Sequence, residues 1–133
     1  MALKIRLLQL KSKDQNGKWY GRAIANREVH TEEMAQHICQ STALTEADVH
    51  AAVRALITEM QTQLQDGNTV VLDGFGRFHL SVHSDRVDNP KDFNLKYHIR
   101  RILCKFTPAA TRNQFDRHLE RPFIDGVKLQ RVK

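Results

Sequence analysis

Apolar residues recur at helical spacing in the first half of the chain. One stripe comprises Val49, Ala52, Val53, Leu56, Ile57, Met60 and Leu64. Its period predicts one long amphipathic helix. Thr45 and Asp48 have the spacing of a capping box at its start, and Gly67 suits a left-handed cap at its end. A shorter helix is predicted from Thr31, its N-cap, to about Ser41. We therefore expect a helix hairpin whose apolar faces need a partner.

Alternating apolar and polar residues predict strands on both sides of these helices. Residues 3–10 and 18–24 are predicted to form an N-terminal hairpin through a turn at residues 14–17. After the helices, the apolar run 70–72 and the alternating run 78–82 meet at Gly74-Phe75-Gly76. Glycine on either side of Phe75 permits a sharp turn and lets the ring enter a core.

The last third of the chain predicts a reversal, a returning strand and a helix. Residues 83–92 are polar and contain Asn89-Pro90, a turn signal, and residues 98–106 are rich in strand formers. Thr107-Pro108 would start a final helix that runs to about Leu119. The tail, residues 121–133, is predicted to add a short strand or to pack on the hairpin. Together these elements predict an α+β fold.

Composition narrows the classes of function. The 133 residues suit one domain, and no apolar run approaches the roughly 20 residues that span a bilayer. The N-terminus lacks a signal-peptide core, so we expect a cytoplasmic protein. Cys39 and Cys104 are predicted to be buried, reduced thiols, and no histidine has zinc-site spacing. No phosphate loop or catalytic motif appears, so we expect no enzyme activity, cofactor, metal or small-molecule substrate.

Positive charge is concentrated near the end of the chain. Residues 1–93 hold 11 Lys/Arg against 12 Asp/Glu, a net charge of −1. Residues 94–133 hold 10 against 3, a net charge of +7, which gives the total of +6. A basic third on a near-neutral body indicates an anion-binding surface, for which nucleic acid is the commonest target. Solubility alone is the alternative explanation.

The order of these elements resembles the HU/IHF family of bacterial histone-like DNA-binding proteins. The similarity covers residues 30–120 and rests on the helix hairpin, the Gly-Phe-Gly-x-Phe strands, the Asn-Pro reversal and the returning strand. It is strongest to a short HU-related subgroup that has an N-terminal hairpin and a Phe-Thr-Pro segment, here Phe106-Thr107-Pro108. The resemblance implies an HU/IHF-like intertwined homodimer with two β-arms around double-stranded DNA. It implies core or dimer contacts for Phe75, Phe78, Leu56, Met60 and Phe106.

The resemblance also implies a division of the chain into three parts. Residues 1–29 would form a hairpin extension, residues 30–120 the HU-like DNA-binding domain, and residues 121–133 a basic tail.

Candidate DNA-binding residues lie on the two strands and on the arm between them. Arg101 and Lys105 are predicted to share one face of the returning strand, with Arg100 on the other. The full set is Arg77, His79, Arg86, Asn89, Pro90, Lys91, Lys96, Arg100, Arg101 and Lys105. Such residues would bind phosphates with weak sequence preference and release counterions.

The predicted arm departs from the family in its charge. Residues 83–92 hold two basic and three acidic side chains, and Asp88 stands where the family motif has arginine. Pro90 is either a wedge between base steps or a plain turn proline. The carboxylates near it would repel phosphates, which argues against the wedge. Two functions remain open. One is architectural, non-sequence-specific DNA binding in a bacterial nucleoid; the other is an HU-like scaffold repurposed for protein interaction or assembly.

Overall fold

A computed structural model of the protein describes residues 2–11, 14 and 17–132 and shows a mixed α+β chain. In chain order its elements are β1 (Leu3–Gln9), β2 (Trp19–Ile24), α1 (Thr31–Ser41), α2 (Glu46–Gln65), β3 (Val70–Leu72), β4 (Gly76–Ser84), α3 (Leu95–His98), β5 (Ile99–Pro108), β6 (Thr111–Arg112), β7 (Leu119–Glu120) and β8 (Leu129–Val132). A 3-10 turn covers Pro90–Asp92.

The chain divides into two compact units. Residues 1–50 and 124–133 form the first unit, and residues 51–123 form the second. The boundary falls within α2. The three-part division at residues 29 and 120 stays a prediction.

The first unit contains a three-stranded sheet in the order β2-β1-β8. Strands β1 and β2 are antiparallel, with Lys4 opposite Ile24 and Gln9 opposite Trp19. Residues 15 and 16 of the predicted turn lie outside the described residues. Strand β8 runs parallel to β1, so the tail adds a short strand, one of its two predicted arrangements.

The ends of the helices follow local side-chain chemistry. The N-cap of helix α1 is His30, one residue before the predicted cap, and its side chain makes no capping bond. The prediction that Thr31 is the cap is therefore wrong. The capping box of α2 is confirmed: the Asp48 N–H donates to Thr45 Oγ1, and the Thr45 N–H donates to Asp48 Oδ2, both at 3.1 Å. Gly67 ends the helix with a φ of +87°.

The second unit is built around a sheet in the order β3-β4-β5. Strand β4 is antiparallel to both neighbours, and Gly76 opens it opposite Leu72 and Pro108. Glycine is required here, since φ is +151° and an added Cβ would lie 2.4 Å from the carbonyl oxygen of Thr107. This close approach locks the start of the β4–β5 pairing.

The predicted final helix over residues 107–119 is wrong. Strand β5 continues through Pro108, and the N–H of Ala109 then donates to the carbonyl of Phe75 at 3.0 Å. The chain next forms the two-stranded β6–β7 sheet, closed by the hydrogen bond from the Asn113 N–H to the His118 carbonyl at 2.7 Å. The apolar side of this segment is too thin to hold a helix against a core. Proline is tolerated because β5 is an edge strand.

Little apolar surface is buried within the chain. Among the described residues, the buried hydrophobic side chains are Ala35 and Val49, one on each of the first two helices. Leu56 and Ile57, both within the predicted apolar stripe of α2, are exposed. The prediction that both thiols are buried is wrong, because Cys104 lies exposed on β5 and Cys39 is half-buried. In the described part of the chain, no helix is both long and apolar enough to cross a membrane.

Candidate nucleic-acid interface

The pairing of β4 with β5 gathers basic side chains on one face of the two strands. Residues directly opposite each other in an antiparallel pair point to the same side. His79 lies opposite Lys105 and His83 opposite Arg101, while Arg77 lies two residues before His79 on the same face. We call these five residues the hairpin cationic face.

The other face of the same strands is apolar. Phe78 lies opposite Phe106, Leu80 opposite Cys104 and Val82 opposite Ile102. This separation follows from the period-two alternation of β4, since successive strand residues point to opposite sides. The predicted placement of Arg101 and Lys105 on one face, together with Arg77 and His79, matches the register.

The hairpin cationic face is electrostatically one-sided. Neither β4 nor β5 contains an aspartate or glutamate, so no carboxylate from these strands neutralises Arg77, Arg101 or Lys105. Arg77, Arg101 and Lys105 are exposed, and His79 is half-buried between them. Closely spaced exposed cations favour a polyanion that neutralises several of them together.

Arg100 is held by its own chain. The pairing is irregular between His83 and Ser84, and Ser84 lies opposite Ile99. Near this irregularity, Arg100 Nε donates to Asp85 Oδ1 at 2.9 Å, and Nη2 lies 2.8 Å from Oδ2. The guanidinium hydrogen bond lowers the pKa of the Asp85 carboxyl, and the same contact raises the pKa of Arg100. This two-point contact orients Arg100 toward Asp85.

The connection between β4 and β5 organises its own turns. Asn89 Oδ1 accepts a 3.0 Å hydrogen bond from the Lys91 N–H, and Pro90 occupies the first turn position. Lys96 Nζ lies 5.7 Å from the centroid of the Tyr97 ring, a cation–π distance. Of the other predicted site residues, Arg86 also lies in this connection. These residues lie outside the paired strands, so the strand register does not align them with the hairpin cationic face.

Aromatic residues form a cluster at the base of the hairpin. The Phe78 and Phe106 ring centroids are 4.7 Å apart, and those of Phe75 and Phe106 are 5.3 Å apart. Phe123 adds an edge-on contact to Phe75 at 5.4 Å. The structure therefore brings Phe75, Phe78 and Phe106 together, but Phe75 and Phe106 are exposed within the chain, so their core or dimer role stays a prediction. Leu56 and Met60 lie on α2, with Leu56 exposed and Met60 half-buried.

The sequence interpretation missed two of these residues. His83 continues the spacing of Arg77 and His79 by two and could have been included on that signal. Phe123 carries no such signal, because its partner Phe75 is distant along the chain and the turn at residues 122–126 has no periodicity.

A protein-family comparison identifies the class. The model of the family described as "HU domain fused to wHTH, Ig, or Glycine-rich motif", or HU-HIG, matches residues 1–121. The chain therefore belongs to the HU-HIG family. The predicted resemblance to HU/IHF-like histone-like proteins is confirmed.

Two curated proteins are similar in sequence to part of this chain. The chain is 37% identical over 60 residues to integration host factor subunit alpha of Pseudoalteromonas atlantica, covering 44% of this chain and 61% of that protein. The subunit of the same name in Colwellia psychrerythraea is 35% identical over 60 residues, covering 44% and 62%. The match thus spans about three fifths of the length of these curated relatives.

A known crystal structure shares the fold. A candidate bacterial DNA-binding protein from Bacteroides vulgatus superposes with a TM-score of 0.58 at 13% identity. The similarity covers 80% of this chain and 42% of that one. At this identity the comparison supports the architecture alone.

Proposed function

We propose that the protein binds double-stranded DNA through the hairpin cationic face and does so as a homodimer. The observation behind this proposal is the register that aligns Arg77, Arg101 and Lys105 on two strands without acidic residues. Family membership and the integration host factor relatives support the same ligand. Binding of this kind would place the protein on the nucleoid, as a non-enzymatic architectural component.

The chemistry of the face favours contact with phosphates over reading of bases. Arginine and lysine neutralise phosphates, and each contact releases condensed counterions, which makes affinity fall steeply with salt. Sequence readout requires side chains placed against base edges in a groove. The strand face presents cations on either side of the uncharged Ser81–Leu103 pair and no arrangement aimed at base edges, so we expect weak sequence preference.

Exposed apolar surface supports the homodimer. Opposite the cationic face, Val82 is 55% exposed and its cross-strand neighbour Ile102 is 65% exposed. Fully burying a side chain of this size stabilises a fold or an interface by about 1.5–3 kcal/mol. A second copy would cover these residues and leave the cationic face to DNA.

Oligomeric state tests this part directly. Sedimentation or light scattering should report twice the 15.4 kDa of one chain. Ile102→Glu should shift the protein toward monomer, because a carboxylate would be buried at the interface. Thr107→Glu lies on the opposite face of β5 and should leave the dimer intact. A 15.4 kDa species at high protein concentration would contradict the dimer.

Fluorescence anisotropy with a labelled duplex tests DNA binding. We expect log affinity to fall linearly with log salt, and Arg101→Glu to reduce the slope by about 0.9 for each phosphate that the variant no longer neutralises. Arg54→Glu changes the net charge equally but lies on α2, so it is the matched control and should have a smaller effect. Absence of binding at micromolar protein and low salt would reject the proposal. That outcome would support the alternative function, a scaffold for protein interaction or assembly. The acidic side chains in the connection between β4 and β5 are the observation that favours this alternative.

A further inference from the structure

The sheet of the first unit also gathers exposed cations on one side. On β1 and β2, Arg6 lies directly opposite Arg22, and Lys4 lies two residues before Arg6 on the same side. We call Lys4, Arg6 and Arg22 the N-terminal cationic face. All three are exposed. On β8, Val132 pairs with Arg6 and is half-buried, which extends this face with an uncharged neighbour.

Placing two arginines opposite each other is unfavourable for the sheet itself. Like charges directly across an antiparallel pair repel and destabilise the strands. No aspartate or glutamate occurs in β1, β2 or β8 to offset the repulsion. A bound anion would relieve it, so the pair is better explained by a ligand than by folding.

The surface between the two arginines is concave. A depression of about 370 Å³ is lined by Arg6 and Arg22, with Leu8 and Ile24 among its other residues. Both arginines therefore line a space open to a ligand group. Arginine offers a planar set of donors that suits phosphate oxygens.

The opposite face of the same sheet has a different character. Leu3, Ile5 and Leu7 alternate with the cationic residues of β1 and point to the other side. Trp19 pairs with Gln9 on that apolar side. The cationic side also carries Leu8 and Ile24, so it presents three exposed cations beside apolar neighbours.

We propose that the N-terminal cationic face is a second surface that contacts DNA phosphates, separate in sequence and in structural unit from the hairpin cationic face. This inference rests on the proposed function and extends it to the N-terminal hairpin, which precedes residues 30–120 and which the family model also covers. A duplex is favoured because its closely spaced phosphates can neutralise three neighbouring cations together. An acidic protein partner is the competing occupant.

The test compares salt slopes of duplex binding for matched variants of the full chain. Arg6→Thr combined with Arg22→Thr should lower the slope of log affinity against log salt by about 0.9 for each phosphate left without its arginine. Threonine suits a strand, and the variant removes the cross-strand repulsion, so its melting temperature should stay equal or rise. Arg6→Lys with Arg22→Lys keeps the charge and should retain most of the slope.

Arg131→Thr is the control within the same sheet. Arg131 lies on β8 opposite Ile5, on the apolar side, so its removal should leave the slope within error. An unchanged slope in the double threonine variant, while Arg101→Glu lowers it, would overturn this inference and preserve the proposed function. An equal drop in Arg131→Thr and in a single Arg6→Thr variant would also overturn it, because net charge would then be sufficient. Absence of duplex binding by the unsubstituted chain would overturn both proposals.

Discussion

Replacing Gly76 with alanine should destabilise the protein strongly. The residue has a φ of +151°, which L-residues rarely adopt, and its new Cβ would meet two groups at once. One is the carbonyl oxygen of Thr107 at 2.4 Å; the other is Cε2 of Phe106 at 2.6 Å. A backbone carbonyl within a strand cannot move without breaking the β4–β5 pairing.

The expected cost has two parts. Backbone strain of this kind costs about 1–3 kcal/mol, and overpacking costs about another 1–3 kcal/mol. We therefore expect Gly76→Ala to lose about 2–6 kcal/mol, a large share of the roughly 5–15 kcal/mol that stabilises a typical domain.

Gly74→Ala is the matched control. Gly74 also has a positive φ, +80°, but an added Cβ would meet no atom within 4 Å. Its cost should be the conformational strain alone, about 1–2 kcal/mol. Urea denaturation followed by circular dichroism, at one fixed protein concentration, measures both variants. Equal losses of unfolding free energy in the two alanine variants would refute the steric argument and with it the close approach of β5 to Gly76.

Other predictions concern the helix cap and the Asp85–Arg100 ion pair. Thr45→Ala removes one bond of the capping box and should cost about 0.5–2 kcal/mol in urea denaturation; no change would contradict the role of the observed 3.1 Å contact. Asp85→Asn should reduce stability at neutral pH, and this difference should disappear in acid. The native pKa of Asp85 is lowered, so its contribution is present above the unfolded pKa and is lost as pH falls through the native pKa. A difference between Asp85→Asn and the unsubstituted chain that persists at pH values well below the native pKa would contradict this assignment. Asp85→Asn should also release Arg100 and raise duplex affinity. Asp66→Asn, just after α2, removes the same charge elsewhere and is the control. Equal gains in affinity in both variants would show that Arg100 is not specifically released.

The paired strands could be predicted because their alternation directly reports which side each residue faces. Arg77 and His79 fall on one side of β4 by sequence spacing, and the register places Lys105 with them. The capping box at Thr45 could be predicted equally well from the sequence, since both of its hydrogen bonds join residues three apart.

Features that depend on distant residues could not be predicted in this way. Asp85 and Arg100 are 15 positions apart, and nothing in either neighbourhood indicates their contact. The Thr107-Pro108 signal fits both a helix start and the end of an edge strand, and the pairing of Pro108 with Gly76 decides for the strand. Local propensity is weak where one tertiary contact determines the path of the chain.

The most direct test of the hairpin interface is amide chemical-shift mapping during titration with a short duplex at low salt. We predict saturable shifts at Arg77, His79, Arg101 and Lys105 that diminish as salt is raised. A duplex that binds while β4 and β5 remain unperturbed would contradict the account, as would a titration that leaves every resonance unchanged.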